Sequence, residues 1–283
     1  MIKTFVTISF LVFGLQAHAL VSSPSTVTSG EWAIESKSTS ERGKVEPNEN
    51  KDSFQSAKIN IYQLSAAYGL SGISFGNDHF LRLDYRYFTS GKEEVGGQVF
   101  YEEDTGNAAT LTYGFNFVHE PVYSAGMYAS VSPLASYNKD KFSSPRVDLW
   151  ALGLRSGLEF NSNWFTENSI HYGSGQPGRQ NSYLAFTNVV GLKLSGATEW
   201  PVTLKFGPYA ELDLQERADA KYDAAFSAPG RTDRIRSMKV GVIGGVDINL
   251  PSNWYLSGGY VQKLGGYDAP ATNALFVSVG VKF

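Results

Sequence analysis

Glu167, His171 and Ser174 in "ENSIHYGSGQPG" come closest to the residue types of acyl-transfer chemistry: an acid, an imidazole base and a hydroxyl nucleophile. Their spacing does not support that chemistry. In an extended segment side chains alternate, so His171 and Ser174, three apart, point to opposite faces. Ser169 has the even spacing, but it lies deeper in the segment beside Glu167. Acid–histidine hydrolysis would need paired acids close to a histidine. Glu211 and Asp213 lie two predicted strands from His171, roughly 10 Å at the usual strand spacing. His79 and His119 adjoin short turns at the opposite end from His171. The chain has no GxSxG, HExxH, phosphate-loop or EF-hand pattern, and no cysteine for a thiolate ligand or nucleophile. The expectation is a protein without enzymatic activity, cofactor or metal.

The elements that carry these residues are strands. Period-2 alternation recurs from end to end, and almost no stretch keeps a helical period. In "LRLDYRYF", Leu81, Leu83, Tyr85 and Tyr87 take one face and Arg82, Asp84 and Arg86 the other. In "TLTYGFNFV", Leu111, Tyr113, Phe115 and Phe117 alternate with Thr110, Thr112, Gly114 and Asn116. The reading gives twelve strands, with 10 to 14 as its range: about 32–38, 57–75, 81–88, 110–118, 125–137, 147–160, 163–173, 183–194, 201–214, 236–249, 253–264 and 273–283. Their connections alternate long and short, and the short ones fall on the side of both termini. Such a meander is an all-β, antiparallel, up-and-down transmembrane barrel. Trp32, Trp150, Trp164, Trp200 and Trp254 all map near a rim, where an indole finds headgroups and water.

The ends of the chain supply the compartment. "MIKTFVTISFLVFGLQAHA" carries Lys3, an apolar run from Phe5 to Leu15 and a small-x-small site at Ala17–Ala19. That is a cleavable signal peptide over residues 1–19, leaving 20–283 as one barrel domain. The absence of cysteine at the cleavage site excludes a lipid-anchored lipoprotein. A formal charge of −3 without a basic stripe excludes nucleic acid as a partner. The 29 glycines and 14% aromatic content are unusual for an ordinary soluble enzyme.

"ALFVSVGVKF" alternates Leu275, Val277, Val279, Val281 and Phe283 with Phe276, Ser278, Gly280 and Lys282. A closing strand bonds the first strand over its whole length, because hydrocarbon tolerates no open sheet edge. This alternating strand ending in phenylalanine resembles the C-terminal assembly signal of Gram-negative, porin-like outer-membrane β-barrel proteins. The resemblance implies location in the cell outer membrane, as a monomer among outer-membrane lipid and lipopolysaccharide. It also implies the barrel-assembly machinery and periplasmic chaperones as partners. It names no subfamily.

With the apolar phase on lipid, the other phase lines the lumen. It carries Arg82, Asp84, Arg86, Arg155, Glu159, Glu167, His171, Lys193, Lys205, Glu211, Asp213, Lys239, Asp247, Lys263 and Lys282. Eight Lys or Arg among six acids and one histidine should pair, since an unpaired buried charge is costly. Gly114, Gly153, Gly157, Gly207, Gly241 and Gly245 share the phase and leave room for long neighbours or water. The function read from this lumen is a small, weakly selective channel for hydrophilic solutes. The alternative is a closed barrel that binds or scaffolds at the surface through "SKSTSERGKVEPNENKDSFQS" and "QERADAKYDAAFSAPGRTDRIRS". A hydrolase is the third and least supported reading.

Overall fold

Alternation with one apolar face, sustained over a dozen segments, is satisfied when the sheet closes and every interior backbone group finds a partner. The structure, a computed structural model, describes residues 27–44, 58–95, 98–136, 147–174, 182–194, 200–214, 238–267 and 271–283. Within them lie β1 (Trp32–Lys44), β2 (Lys58–Gly69), β3 (Asn77–Ser90), β4 (Glu93–Val95), β5 (Gln98–Tyr101), β6 (Asp104–Glu120) and β7 (Tyr123–Ser136). They continue with β8 (Trp150–Glu159), β9 (Trp164–Gly173), β10 (Tyr183–Lys193), β11 (Val202–Asp213), β12 (Met238–Asn249), β13 (Trp254–Tyr267) and β14 (Ala271–Lys282). Twelve of these close an antiparallel barrel in chain order, with β14 bonded back to β1; β4 and β5 form a separate hairpin. The proposed signal peptide and the segment 215–235 lie outside the described residues.

The closing seam is continuous. Ala33 pairs with Lys282 and Lys44 with Ala271, and the Trp32 and Phe283 backbones exchange hydrogen bonds of 2.8 and 3.0 Å. Each position of the terminal strand is therefore bonded to the first strand, as a barrel in hydrocarbon requires.

Several element boundaries differ from the sequence reading, among them the start of β8, which is Trp150 and not 147. β1 runs to Lys44, so Ser40–Lys44, read as the start of a loop, is wall; the rest of that loop, 45–55, lies outside the described residues. The second strand stops at Gly69, and the apolar Leu70, Ile73 and Phe75 that lengthened the reading belong to the turn before β3. That turn uses positive φ at Gly72 and Gly76, and β3 opens with a positive φ at Asp78. The connection 89–106 is partly strand, carrying the last residues of β3, the β4–β5 hairpin and the start of β6.

The outer surface is apolar. Leu81, Leu83, Tyr85 and Tyr87 are exposed on one strand, as are Leu275, Val277, Val279 and Phe283 on another, and Val281 shares their face. All five tryptophans are between 42% and 47% exposed and close to a rim, two of them beside an outward tyrosine (Trp32–Tyr68 and Trp150–Tyr172). Phe75, His79, Tyr113 and Phe115 stack into an aromatic cluster at the short-turn rim. His79 thus belongs to the outer girdle: it bonds the Tyr113 hydroxyl at 2.8 Å and the Phe75 carbonyl.

Inside, rings of one strand lie on glycines of the next. A Cβ at Gly114 would meet Phe80, at Gly153 Tyr128, at Gly191 Phe165, at Gly241 Tyr209 and at Gly280 Tyr255, each within 2.5 Å. Gly114, Gly153, Gly241 and Gly280, which the sequence places on the inner face, are therefore seats for aromatic rings, a recurrent way of pinning register, whereas Gly157, Gly207 and Gly245 face no ring. The wall is uneven in length: β6 has 17 residues, whereas β8 and β9 have 10 each.

Candidate functional site

The inner phase encloses a cavity of about 480 Å³. It runs from Asp78 and His119 at the short-turn rim to Asp148 and His171 near the long-loop rim. That volume is in the range of small-molecule sites.

Its charges are arranged in local pairs. On β1–β3, the Arg82 guanidinium bonds Asp84 at 2.7 Å, and Asp84 also accepts from Gln63 and Ser65 at 2.9 and 2.6 Å. Arg86 donates to the Thr110 hydroxyl at 2.5 Å. Across the barrel, Lys205 lies 2.7 Å from Asp247 and 3.8 Å from Glu167. Lys37 sits over the Phe276 ring at 4.7 Å, and Arg155 over Phe80 at 5.1 Å. Arg155 also donates to Asn116, whose amide bonds Asp78, the partner of His119. Paired, hydrogen-bonded charge is the form in which ions are tolerated away from water.

Of the charges expected in the lumen, Arg82, Asp84, Arg86, Arg155, Glu167, His171, Lys205 and Asp247 line this cavity. Glu211, Asp213 and Lys239 are inside the barrel beyond its lining, with Lys239 3.3 Å from Glu211. Glu159 and Lys193 lie at the short-turn rim, partly exposed and 2.6 Å apart. Lys282 is half-buried at the same rim, and the Lys263 side chain lies outside the described ones. The structure adds Glu35 and Lys37 on β1, which the weak alternation of that strand did not bring out.

Two apolar stoppers narrow the ends. At the short-turn end Val27 packs with Ala33, Ala67 and Phe80. A turn holds it there: Gly30, at φ +83°, donates to the Gly69 carbonyl, and Glu31 N–H to Thr28. At the long-loop end Val147 is fully buried against Ile59, Ile61, Phe88 and Ala108. Next to it, the Asp148 carboxylate accepts from the Tyr183 hydroxyl and bonds His171 Nε2, both at 3.0 Å, while His171 Nδ1 meets the Tyr128 hydroxyl at 2.8 Å.

The His171 imidazole is held from both sides. Both ring nitrogens are engaged, Nε2 by Asp148 and Nδ1 by Tyr128. Ser169 bonds Thr187 at 2.8 Å instead of the imidazole. Among the described residues no group of acids, histidines or cysteines is arranged to hold a metal ion. Tyr128, Asp148 and Tyr183 were not legible as site residues, since an inward tyrosine reads as a lipid-facing aromatic and Asp148 as an ordinary strand position.

The shape of the barrel is found in solved proteins. An outer-membrane channel from Pseudomonas putida F1 superposes with a TM-score of 0.70 over 91% of this chain and 97% of that one, at 11% identity. The β-domain of the Bordetella autotransporter BrkA gives 0.54 over 91% and 100%, at 13% identity. The translocator domain of the autotransporter NalP from Neisseria meningitidis gives 0.50 over 89% and 88%, at 12% identity. No protein-family model and no curated protein matches the sequence.

Proposed function

We propose, from a chain whose fold is that of outer-membrane β-barrels, that it is a channel of the cell outer membrane passing small hydrophilic solutes with weak charge selectivity. The observation that carries this reading is the charge-lined cavity: a barrel with an apolar outside encloses about 480 Å³ bordered by charges of both signs. A ring of one sign would give a selective field; the local pairs here largely cancel. In this reading the mature chain starts near residue 20 and acts as a monomer in lipid and lipopolysaccharide. Periplasmic chaperones and the barrel-assembly machinery bring it there, the latter reading the strand that ends at Phe283. It has no nucleic-acid partner and performs no catalysis. The P. putida channel, similar in shape, supports the solute path.

Single-channel recording of the purified barrel in planar bilayers tests the reading. Small conductance steps with a cation-to-anion permeability ratio near unity are expected, and a silent bilayer at every potential refutes it.

A second reading, a closed barrel presenting its long-loop rim to a surface partner, draws on Val147 and Val27, which narrow the two ends of the lumen. Swelling of liposomes in sugars and amino acids separates the two: permeation supports the channel, and none supports the scaffold.

A further inference from the structure

The residues leading into β8 turn inward instead of staying on the rim. Leu149 is exposed, and its carbonyl accepts from Ser132 N–H at 2.9 Å. Trp150 and Ser174 fasten the start of β8 to the end of β9 through bonds of 3.0 Å in both directions. From this anchored base the two preceding residues are buried inside, Val147 completely and Asp148 to 5% exposure.

What Asp148 enters is a built seat. Tyr183 is fully buried, and its hydroxyl and His171 Nε2 reach the same carboxylate oxygen. One proton arrangement satisfies the set: Tyr128 O–H donates to Nδ1, which leaves N–H on Nε2 to donate to Asp148. Gly173 makes the space, because a Cβ there would stand 2.2 Å from the Tyr183 ring and 2.4 Å from Asp148 Oδ1. Two converging donors, an orienting tyrosine behind the imidazole and a glycine that clears the approach describe a site for a carboxylate. Beside it the patch of Ile59, Ile61, Phe88 and Ala108 takes the Val147 isopropyl group. Consecutive residues therefore bury the two halves of a short aliphatic acid.

We propose that His171 and Tyr183 form a carboxylate seat, filled by Asp148 in the closed barrel, which a short-chain monocarboxylate takes as the Val147–Asp148 step withdraws. The proposal rests on reading the lumen as a solute path and names the solute class. The internal ligand keeps the seat satisfied when no solute is present, and an incoming acid exchanges one carboxylate for another, so no buried donor is left unpaired. Past the seat, the lining continues with the Lys205–Asp247 and Arg82–Asp84 pairs.

The absence of cysteine in the chain allows a direct test. Thr187 is buried, lines the cavity and pairs with Ser169, one inward position below the Ala185–His171 pair. In a Thr187→Cys protein reconstituted with its long-loop rim outward, a membrane-impermeant thiol reagent added outside reads the closure. Asp148→Ala should raise the labelling rate about tenfold, the factor expected for losing one charge-assisted hydrogen-bonded anchor. Should Asp148→Ala fail to insert, Asp148→Asn carries the same expectation. Isobutyrate should raise labelling several-fold in the Asp148 protein, isobutyramide should not, and His171→Phe with Tyr183→Phe should abolish the response. Equal labelling with and without Asp148, or an amide as effective as the acid, overturns the seat. Conductance recorded from the same samples separates the two ideas. Current without carboxylate-dependent labelling refutes the seat alone, and carboxylate-dependent labelling in a silent barrel refutes the channel while the seat stands.

Discussion

Replacing Gly153 by alanine puts one methyl group where the ring of Tyr128 already lies. The two residues are paired across β7 and β8, and a Cβ at 153 would stand 2.1 Å from two ring carbons and 2.5 Å from the hydroxyl oxygen. Ordinary carbon contacts need about 3.5–4.0 Å, so the ring has to move by more than about 1 Å. That motion takes the hydroxyl off His171 Nδ1, now 2.8 Å away. Overpacking costs about 1–3 kcal/mol and the lost hydrogen bond about 1, while alanine in a strand recovers about 0.5–1 relative to glycine. The expected net loss is about 1–3 kcal/mol. Gly245→Ala on β12 is the control, because the nearest atom to a Cβ there is the Gly258 carbonyl oxygen at 3.4 Å. It should be neutral or gain up to about 0.5–1 kcal/mol. Urea titration of folding into vesicles, followed by tryptophan fluorescence, measures both. Tyr128→Ala in the Gly153→Ala background should remove most of the overpacking cost, giving a clear coupling in the double-mutant cycle. Equal stabilities of the two glycine variants, or no coupling with Tyr128, would refute the ring-on-glycine account.

Leu83→Arg should destabilise insertion by about 2–4 kcal/mol, since Leu83 faces outward in the apolar stretch between His79 and Tyr85; the same urea titration checks it, and parent-like folding would invert the inside–outside assignment of β3. Asp84→Ala should also destabilise the barrel, because it takes the 2.7 Å carboxylate from Arg82, which stays inside the lumen; the same titration checks it, and parent-like folding would refute the pairing. Glu31 accepts from the Thr28 N–H at 2.8 Å, and that backbone bond holds its carboxyl below the usual glutamate range. A lowered folded value stabilises at pH above the unfolded one and is lost as pH falls through the folded one. Glu31→Gln should therefore lower the melting temperature at neutral pH but not in acid, and an unchanged gap at pH 3 would refute the link.

Much of this architecture is legible in the sequence because a barrel in lipid imposes one rule at every position of its wall. Leu83 and Arg82 cannot exchange faces without placing charge in hydrocarbon, so alternation in "LRLDYRYF" reports inside and outside directly. The glycines of the inner phase were visible, but their ring partners depend on the register between strands, which a single strand does not encode. The Val147–Asp148 step was invisible for a different reason. "RVDLW" continues smoothly into the alternation of β8, and only the three-dimensional meeting of β7, β9 and β10 shows that Val147 and Asp148 leave the wall. The turn after β2 misled because Leu70, Ile73 and Phe75 are apolar, as residues at a headgroup level often are.

The unequal strands give the barrel a high side and a low side. At about 3.4 Å per residue and a tilt near 40°, the 10 residues of β8 and β9 climb about 26 Å, while the 17 of β6 climb about 44 Å. The apolar band of a bilayer takes up about 25 Å of this, so β8 and β9 end at the headgroups and β6 stands roughly 18 Å taller. His171, two residues from the end of β9, and Tyr183, at the start of β10, lie on the low side. The His171–Tyr183 seat thus stands level with the lipid headgroups, while the wall at β6 rises clear of them.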